Sequence, residues 1–216
     1  MHLRFFFAYL LSAIFALSLF AQSTVPDSTN NAFIIKASLF SLFEGDIPLY
    51  IEKKVHPQLS FELGAGITTK AHFSDLLDPN NNNYYSGNKS ATAGLSFSSS
   101  VRYYTTPKSI FGGTYFAPTY RLRSHNIKTP VCDNLLNKTT YKNEHLRRHD
   151  FFMQMGFQNH LSQKIVLDIF IGSGIRLSRY HKLFCEYDGN SYQSFHALQQ
   201  ATTFYFTTGI KIGFVL

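Results

Sequence analysis

Beyond residue 20 the sequence has no apolar run of the ~18 residues or more that a membrane-crossing helix takes. That excludes a helical membrane protein. Charged residues make up only 15%, and the net charge of +7 is spread along the chain with no basic block. No nucleic-acid module surrounds it, so DNA and RNA are not expected partners. There are two cysteines, Cys132 and Cys185, and neither lies near the N-terminus, so a lipoprotein acceptor is missing. No His or Cys pair has the spacing of a metal site, and no cofactor is expected. Tryptophan is absent, which leaves Phe and Tyr to supply the whole 16% of aromatics.

The N-terminus reads as a secretory signal over residues 1–21. His2 and Arg4 give a short basic start, residues 5–20 an apolar core, and Ala21-Gln22-Ser23 a small residue for cleavage. Leu19 stands where a small residue is preferred, and retention as an anchor is the alternative. A polar leader follows at 22–32, then one fold over 33–216, an ordinary length for a single domain. Export brings the chain to an oxidising compartment, where an even pair of cysteines is compatible with one disulfide.

The rest of the chain repeats one pattern, apolar and polar residues in alternation, which is the period of a β-strand with two unlike faces. The last stretch carries it clearly. Phe204, Phe206, Ile210, Ile212, Phe214 and Leu216 alternate with Thr203, Tyr205, Thr207, Gly209, Lys211 and Gly213. The alternation returns at 33–43 (blurred), 47–55, 59–68, 91–104, 112–124, 149–160 and 164–180, making eight strands. Pro118 interrupts one of them and predicts a bulge or a ladder break. Several strands are longer than the ~5–6 residues common in soluble sheets and nearer the ~9–11 that a tilted strand needs to cross a bilayer.

Short turns at His56-Pro57, Pro107-Lys108 and Ser162-Gln163 alternate with long polar loops at 70–89, 125–147 and 181–201, while the first outer connection, 44–46, is short. Short turns on one side and long loops on the other are the habit of outer-membrane barrels, and an even strand number puts both termini on the periplasmic side. One face is aliphatic or Phe. The other carries Lys36, Glu52, Lys54, Glu62, Arg102, Arg121, Arg123, Asp168, Arg176 and Lys211 with Gly and Ser between them. Alternation alone does not distinguish this from a soluble secreted carrier with the apolar face inside. Export, strand length, the apolar C-terminus and the loop rhythm favour charge inside. The expected fold is therefore all-β: an eight-stranded antiparallel up-and-down transmembrane barrel, its interior just filled by side chains. The charged set predicts a plugged polar lumen. A narrow anion channel lined by Arg102, Arg121, Arg123 and Arg176 is the rival for that face.

Leu49-Tyr-Ile-Glu-Lys-Lys54, Leu59-Ser-Phe-Glu-Leu-Gly64, Arg102-Tyr-Tyr104 before a Pro turn, and the closing Gly209-Ile-Lys-Ile-Gly-Phe214 resemble the small outer-membrane β-barrel proteins of Bacteroidota, similar in architecture to the OmpA/OmpX type. The final position lacks the aromatic usual in outer-membrane insertion signals, with Phe214 two residues early. The resemblance implies location and fold more than activity. It leads to a non-enzymatic, monomeric outer-membrane protein, structural or presenting its loops to a ligand, with outer-membrane lipid and lipopolysaccharide as partners. Lys128, Lys138, Lys142, Arg147 and Arg148 are the basic residues that could meet lipopolysaccharide phosphates. The enzymatic alternative, lipid A acyl hydrolysis or transfer, would draw on Ser124, His125, His149, Asp150 and His181 near the rim, although no spacing marks a nucleophile, base and acid. Cys132 and Cys185 fall in neighbouring outer loops and are expected to pair, restricting loop freedom. An alkylating reagent applied to the unreduced, denatured protein should label neither thiol; labelling of both would show the bond to be absent.

Overall fold

The computed structural model describes residues 33–69, 90–105, 112–130, 141–187 and 192–216. The described strands are β1 (Phe33–Ser38), β2 (Asp46–His56), β3 (Leu59–Thr68), β4 (Ser90–Thr92), β5 (Gly94–Tyr104), β6 (Gly113–Pro130), β7 (Tyr141–His160), β8 (Ile165–Tyr187) and β9 (Tyr192–Val215), with one helical turn, α1 (Leu39–Phe43). Neighbours pair antiparallel in sequence order, and β1 pairs with β9 to close the ring. β4 and β5 both pair with β6 and are two parts of one wall strand, so the barrel has the eight strands expected. The register slips by one residue between Thr92–Asn126 and Ser96–Arg123, and the bulge falls at Ala93. Gly94 follows because a Cβ there would collide with the Ser124 carbonyl and the Thr68 hydroxyl.

The register fixes the shape. Successive partners run Thr203, Arg176, Asp150, Arg121, Ser98, Gly64, Tyr50 and Lys36, and Lys36 returns to β9 at Gly213, ten residues beyond Thr203. A stagger of that size around eight strands implies a strand tilt of about 40° to the barrel axis.

Alternation decides which side chains see the lumen. Along β2 and β3, Glu52, Ser60 and Glu62 are buried while Leu49, Ile51, Phe61 and Leu63 are exposed. β7 repeats the pattern, with Phe152, Gln154 and Gln158 inside and Phe151, Met153 and Met155 outside. The exposed apolar residues form a belt, in which Phe206 is 73% and Leu95 71% exposed. Large apolar side chains uncovered by protein and charge enclosed is the arrangement a lipid solvent demands. The molecule is a transmembrane barrel with its polar face inward.

Three expectations need correction. The first strand stops at Ser38, because the Ser38 hydroxyl caps a helical turn at the Ser41 N–H (3.4 Å) and accepts from the Ser41 hydroxyl (2.8 Å). Gly45, with φ of 73°, then takes the left-handed conformation that starts β2. Second, 125–147 is not one loop. β6 continues to Pro130 and β7 begins at Tyr141. Third, 181–201 is mostly hairpin, with β8 reaching Tyr187 and β9 starting at Tyr192. The outward positions there turn polar, as at Lys128, His145, Arg147 and Arg179, while Ile127, Leu146 and Tyr180 stay buried inside, so the hydropathy contrast of the belt is lost while the ladder continues. At Pro118 the structure takes the second of the two expected outcomes, a ladder break without a bulge. The β6–β7 register runs through it, and the β5–β6 ladder skips only the rungs between Thr119 and Phe116, the break that a missing N–H requires. The signal segment, the leader, the loop 70–89, Lys138 and Cys132 lie outside the described residues, and with Cys132 the expected disulfide.

An arginine replacing Ile171 in the belt should destabilise the barrel by about 2–4 kcal/mol in lipid, as for charge near a bilayer midplane. Urea titration in phospholipid vesicles measures this, and a neutral result would mean that the face is not in hydrocarbon.

Candidate functional site

The lumen holds two charged layers. In the layer nearer the termini, Lys36 from β1, Arg102 from β5 and Lys211 from β9 face Glu52 from β2, Glu62 from β3 and Asp168 from β8. Lys36 lies 2.5 Å from Glu52, 3.1 Å from Asp168 and 3.3 Å from Glu62. Arg102 reaches Glu62 at 2.5 Å, Asp168 at 2.7 Å and Glu52 at 3.7 Å, and Lys211 meets Glu62 at 2.6 Å. Three cations thus face three carboxylates, each from a different strand, and Arg102 is fully buried. Burying an ion costs several kcal/mol unless it is paired and hydrogen-bonded, and here each has more than one partner or a ring beside it. The Tyr104 hydroxyl donates to Glu52 (2.7 Å), that of Tyr115 to Asp168 (2.8 Å), and the Gln158 carbonyl accepts from Lys36 and Arg102 at 2.6 and 2.9 Å. The Arg102 guanidinium stacks 4.4 Å from the Tyr115 ring centre, and the Lys211 ammonium lies 4.0 Å from that of Tyr50.

The second layer sits nearer the projecting hairpins. Asp150 on β7 accepts from Arg176 on β8 (2.7 and 3.2 Å) and from Arg123 on β6 (2.9 Å), with the Arg121 Nε at 3.5 Å. Glu44, just after α1, takes the other side of Arg123 (2.8 Å) and lies 3.6 Å from Arg121. These pairs bind the α1 connection to the opposite wall. Tyr205 receives a hydrogen bond from Arg121, and the Arg176 guanidinium lies 3.9 Å from its ring centre. Ser96 donates to Asp46 (2.6 Å) at the same rim.

Nine of the ten residues expected to line the lumen fall into these layers. Lys54 shares the inward face of Glu52 but is only half-buried, near the β2–β3 turn. Sequence reasoning missed Tyr50, Tyr104, Tyr115, Gln158 and Tyr205, whose inward parity was available, and Glu44 and Asp46, which parity does not reach. Asp150 was set at the rim as a candidate acid and is instead the centre of the second layer.

The proposed catalytic group is not assembled. Ser124 and His149 sit on the outward face, where His149 Nδ1 is 3.0 Å from the Tyr120 hydroxyl. His125 and Asp150 point inward, and His181 is on the exposed outer face of β8. Of the basic residues put forward for lipopolysaccharide, Lys128, Lys142 and Arg147 are exposed, whereas Arg148 is buried within the wall. Among the described residues no three His, Cys, Asp or Glu side chains could share a metal ion.

No family model matches the chain, and no curated protein does. Among solved structures it is similar to the N-terminal β-barrel domain of OprF from Pseudomonas aeruginosa, at 10% identity and a TM-score of 0.38, covering 87% of this chain and 98% of that one. It is also similar to a major outer membrane protein from Thermus thermophilus, at 12% identity and a TM-score of 0.39, covering 87% of this chain and all of that one.

Replacing Glu62 by Gln leaves Lys211 and part of Arg102 as uncompensated buried charge. It should destabilise the barrel by about 3–5 kcal/mol, whereas Ser98→Ala, which removes no ion, should stay under about 1 kcal/mol. Unfolding in detergent followed by heat-modifiable migration measures both.

Proposed function

We propose that the chain is an integral outer-membrane protein without catalytic activity, with both termini in the periplasm, a lumen closed to solutes, and hairpins that face the outside. The observation that carries this reading is the terminus-side layer. Its cations and carboxylates are equal in number and bridge the bore from strand to strand. A pore that selects anions through charged side chains uses a ring of one sign, and here every Arg or Lys of that layer is matched by an acid. Arg102, which the anion-channel reading used, sits inside this matched set.

The belt supports a membrane location, and the short turns beside the termini support a periplasmic end, because outer-membrane barrels keep short turns on that side. Membrane lipid and lipopolysaccharide would surround the belt and its rim. A ligand, if one is recognised, would meet loop 70–89 and the β6–β7 and β8–β9 hairpins, since loops on a rigid scaffold carry variable function. The protein would act as a monomer, as all its described strands pair within one ring. The separation of Ser124 and His149 from His125 and Asp150 weighs against lipid A hydrolysis or acyl transfer.

Purified protein in planar bilayers should show no stepwise conductance at neutral pH. Regular resolved steps would overturn the closed-lumen reading, and a changed lipid A mass spectrum on expression would restore the enzyme.

A further inference from the structure

The outward face of the wall changes character in one row. On β7 the outward positions climb from Met155 through Met153, Phe151 and His149 to Arg147, and on β8 from Ile171 through Ile175 and Leu177 to Arg179. Arg147 and Arg179 are register partners, directly opposite, and both are exposed. Like charges directly opposite each other on one sheet face repel, since their Cβ atoms lie only ~4.5–5.5 Å apart. Ser124 and Gln200 flank the pair on β6 and β9, His149–Leu177 forms the row below and His145–His181 the row above. None of these neighbours carries a carboxylate, so among the described residues nothing on this face offsets the two guanidiniums.

Their height matters as much as their sign. The row below still belongs to the belt, with Leu177 exposed and His149 hydrogen-bonded to Tyr120 at its edge. The Arg pair is the first charged row beyond hydrocarbon, the depth at which lipid headgroups lie. Guanidinium forks match phosphate oxygens two at a time, and two adjacent forks suit one dianionic group.

We infer that Arg147 and Arg179 form a binding site on the outer wall for the phosphate of an anionic membrane lipid of the lipopolysaccharide class, which enters from the side with its acyl chains along the belt below Leu177. The inference rests on the outer-membrane reading above and deepens it. Arg148, one residue away, points into the wall and takes no part. A phosphate between the two forks removes their repulsion, so the bound lipid stabilises the β7–β8 ladder where it leaves the membrane.

The test uses the full chain refolded in a zwitterionic detergent, titrated with bis-phosphorylated lipid A, with the same lipid after phosphatase treatment, and with inorganic phosphate. The wild-type protein should bind the phosphorylated lipid at least about tenfold tighter than Arg147→Gln/Arg179→Gln does, the loss expected for charge-assisted bidentate contacts. It should bind the dephosphorylated lipid no better than the variant does. Without lipid, the variant should be no less stable than wild type, because a repulsive pair has been removed; a merely structural role predicts a loss. Equal binding by the two proteins, or equal binding of the dephosphorylated lipid, would overturn the site. Inorganic phosphate competing as well as the lipid would overturn the membrane source of the ligand. Heat-modifiable migration of both proteins keeps a failed site distinct from a failed barrel.

Discussion

Hydrocarbon offers no partner to a backbone N–H, a carbonyl or an ion, and every feature of this chain answers that constraint. The backbone answers by closing: β1 reaches back to β9, and each central wall strand has a neighbour on both edges. The side chains answer by sorting themselves on a period of two. Because a strand alternates strictly, placing Leu49 and Ile51 in lipid forces Tyr50 and Glu52 into the bore. Eight strands leave a bore about wide enough for side chains and little else. The enclosed ions therefore meet each other across it.

The two charged layers stabilise different things. The terminus-side layer joins β1, β2, β3, β5, β8 and β9 through matched ions and tyrosine hydroxyls, and its glycine spacers leave room for rings, as where the Tyr115 ring occupies the place a Cβ of Gly156 would take. The second layer ties the α1 connection to the far wall through Glu44, Arg123 and Asp150. That tie matters because β1 is only six residues long and pairs with β9 no higher than Ser38–Lys211. Beyond that rung the seam holds α1 instead of a strand. The Glu44 pairs compensate for ladder bonds that the seam lacks.

The strand-by-strand alternation was legible in the sequence because inward charge and outward Phe or Ile leave a strong contrast. Lys36, Glu52, Glu62, Arg102, Asp168 and Lys211 stood out for that reason, and the structure gathers them. Which face met lipid was not in the alternation itself and needed the exposure of residues such as Phe206. The helical turn at Leu39–Phe43 was hidden because Leu-Phe-Ser-Leu-Phe is as apolar as the strand it follows, and only the Ser38 cap distinguishes it. The tall hairpins were hidden for the opposite reason: above the belt the outward positions of β6 to β9 turn polar, so the pattern fades although the pairing continues to Pro130–Tyr141 and Tyr187–Tyr192. Arg147 opposite Arg179 is visible only through register, since 32 residues of sequence separate partners that the ladder sets side by side.

The central claim is the direction in which each strand faces, and spin labels along β9 address it most directly. Single cysteines at 204 to 207 and at 211 and 212, in a background without Cys132 and Cys185, would be read for collision with oxygen dissolved in lipid. The account predicts high oxygen accessibility at the positions of Phe204, Phe206 and Ile212 and low accessibility at those of Tyr205, Thr207 and Lys211. Accessibility in the reverse phase, or none of period two, would contradict it.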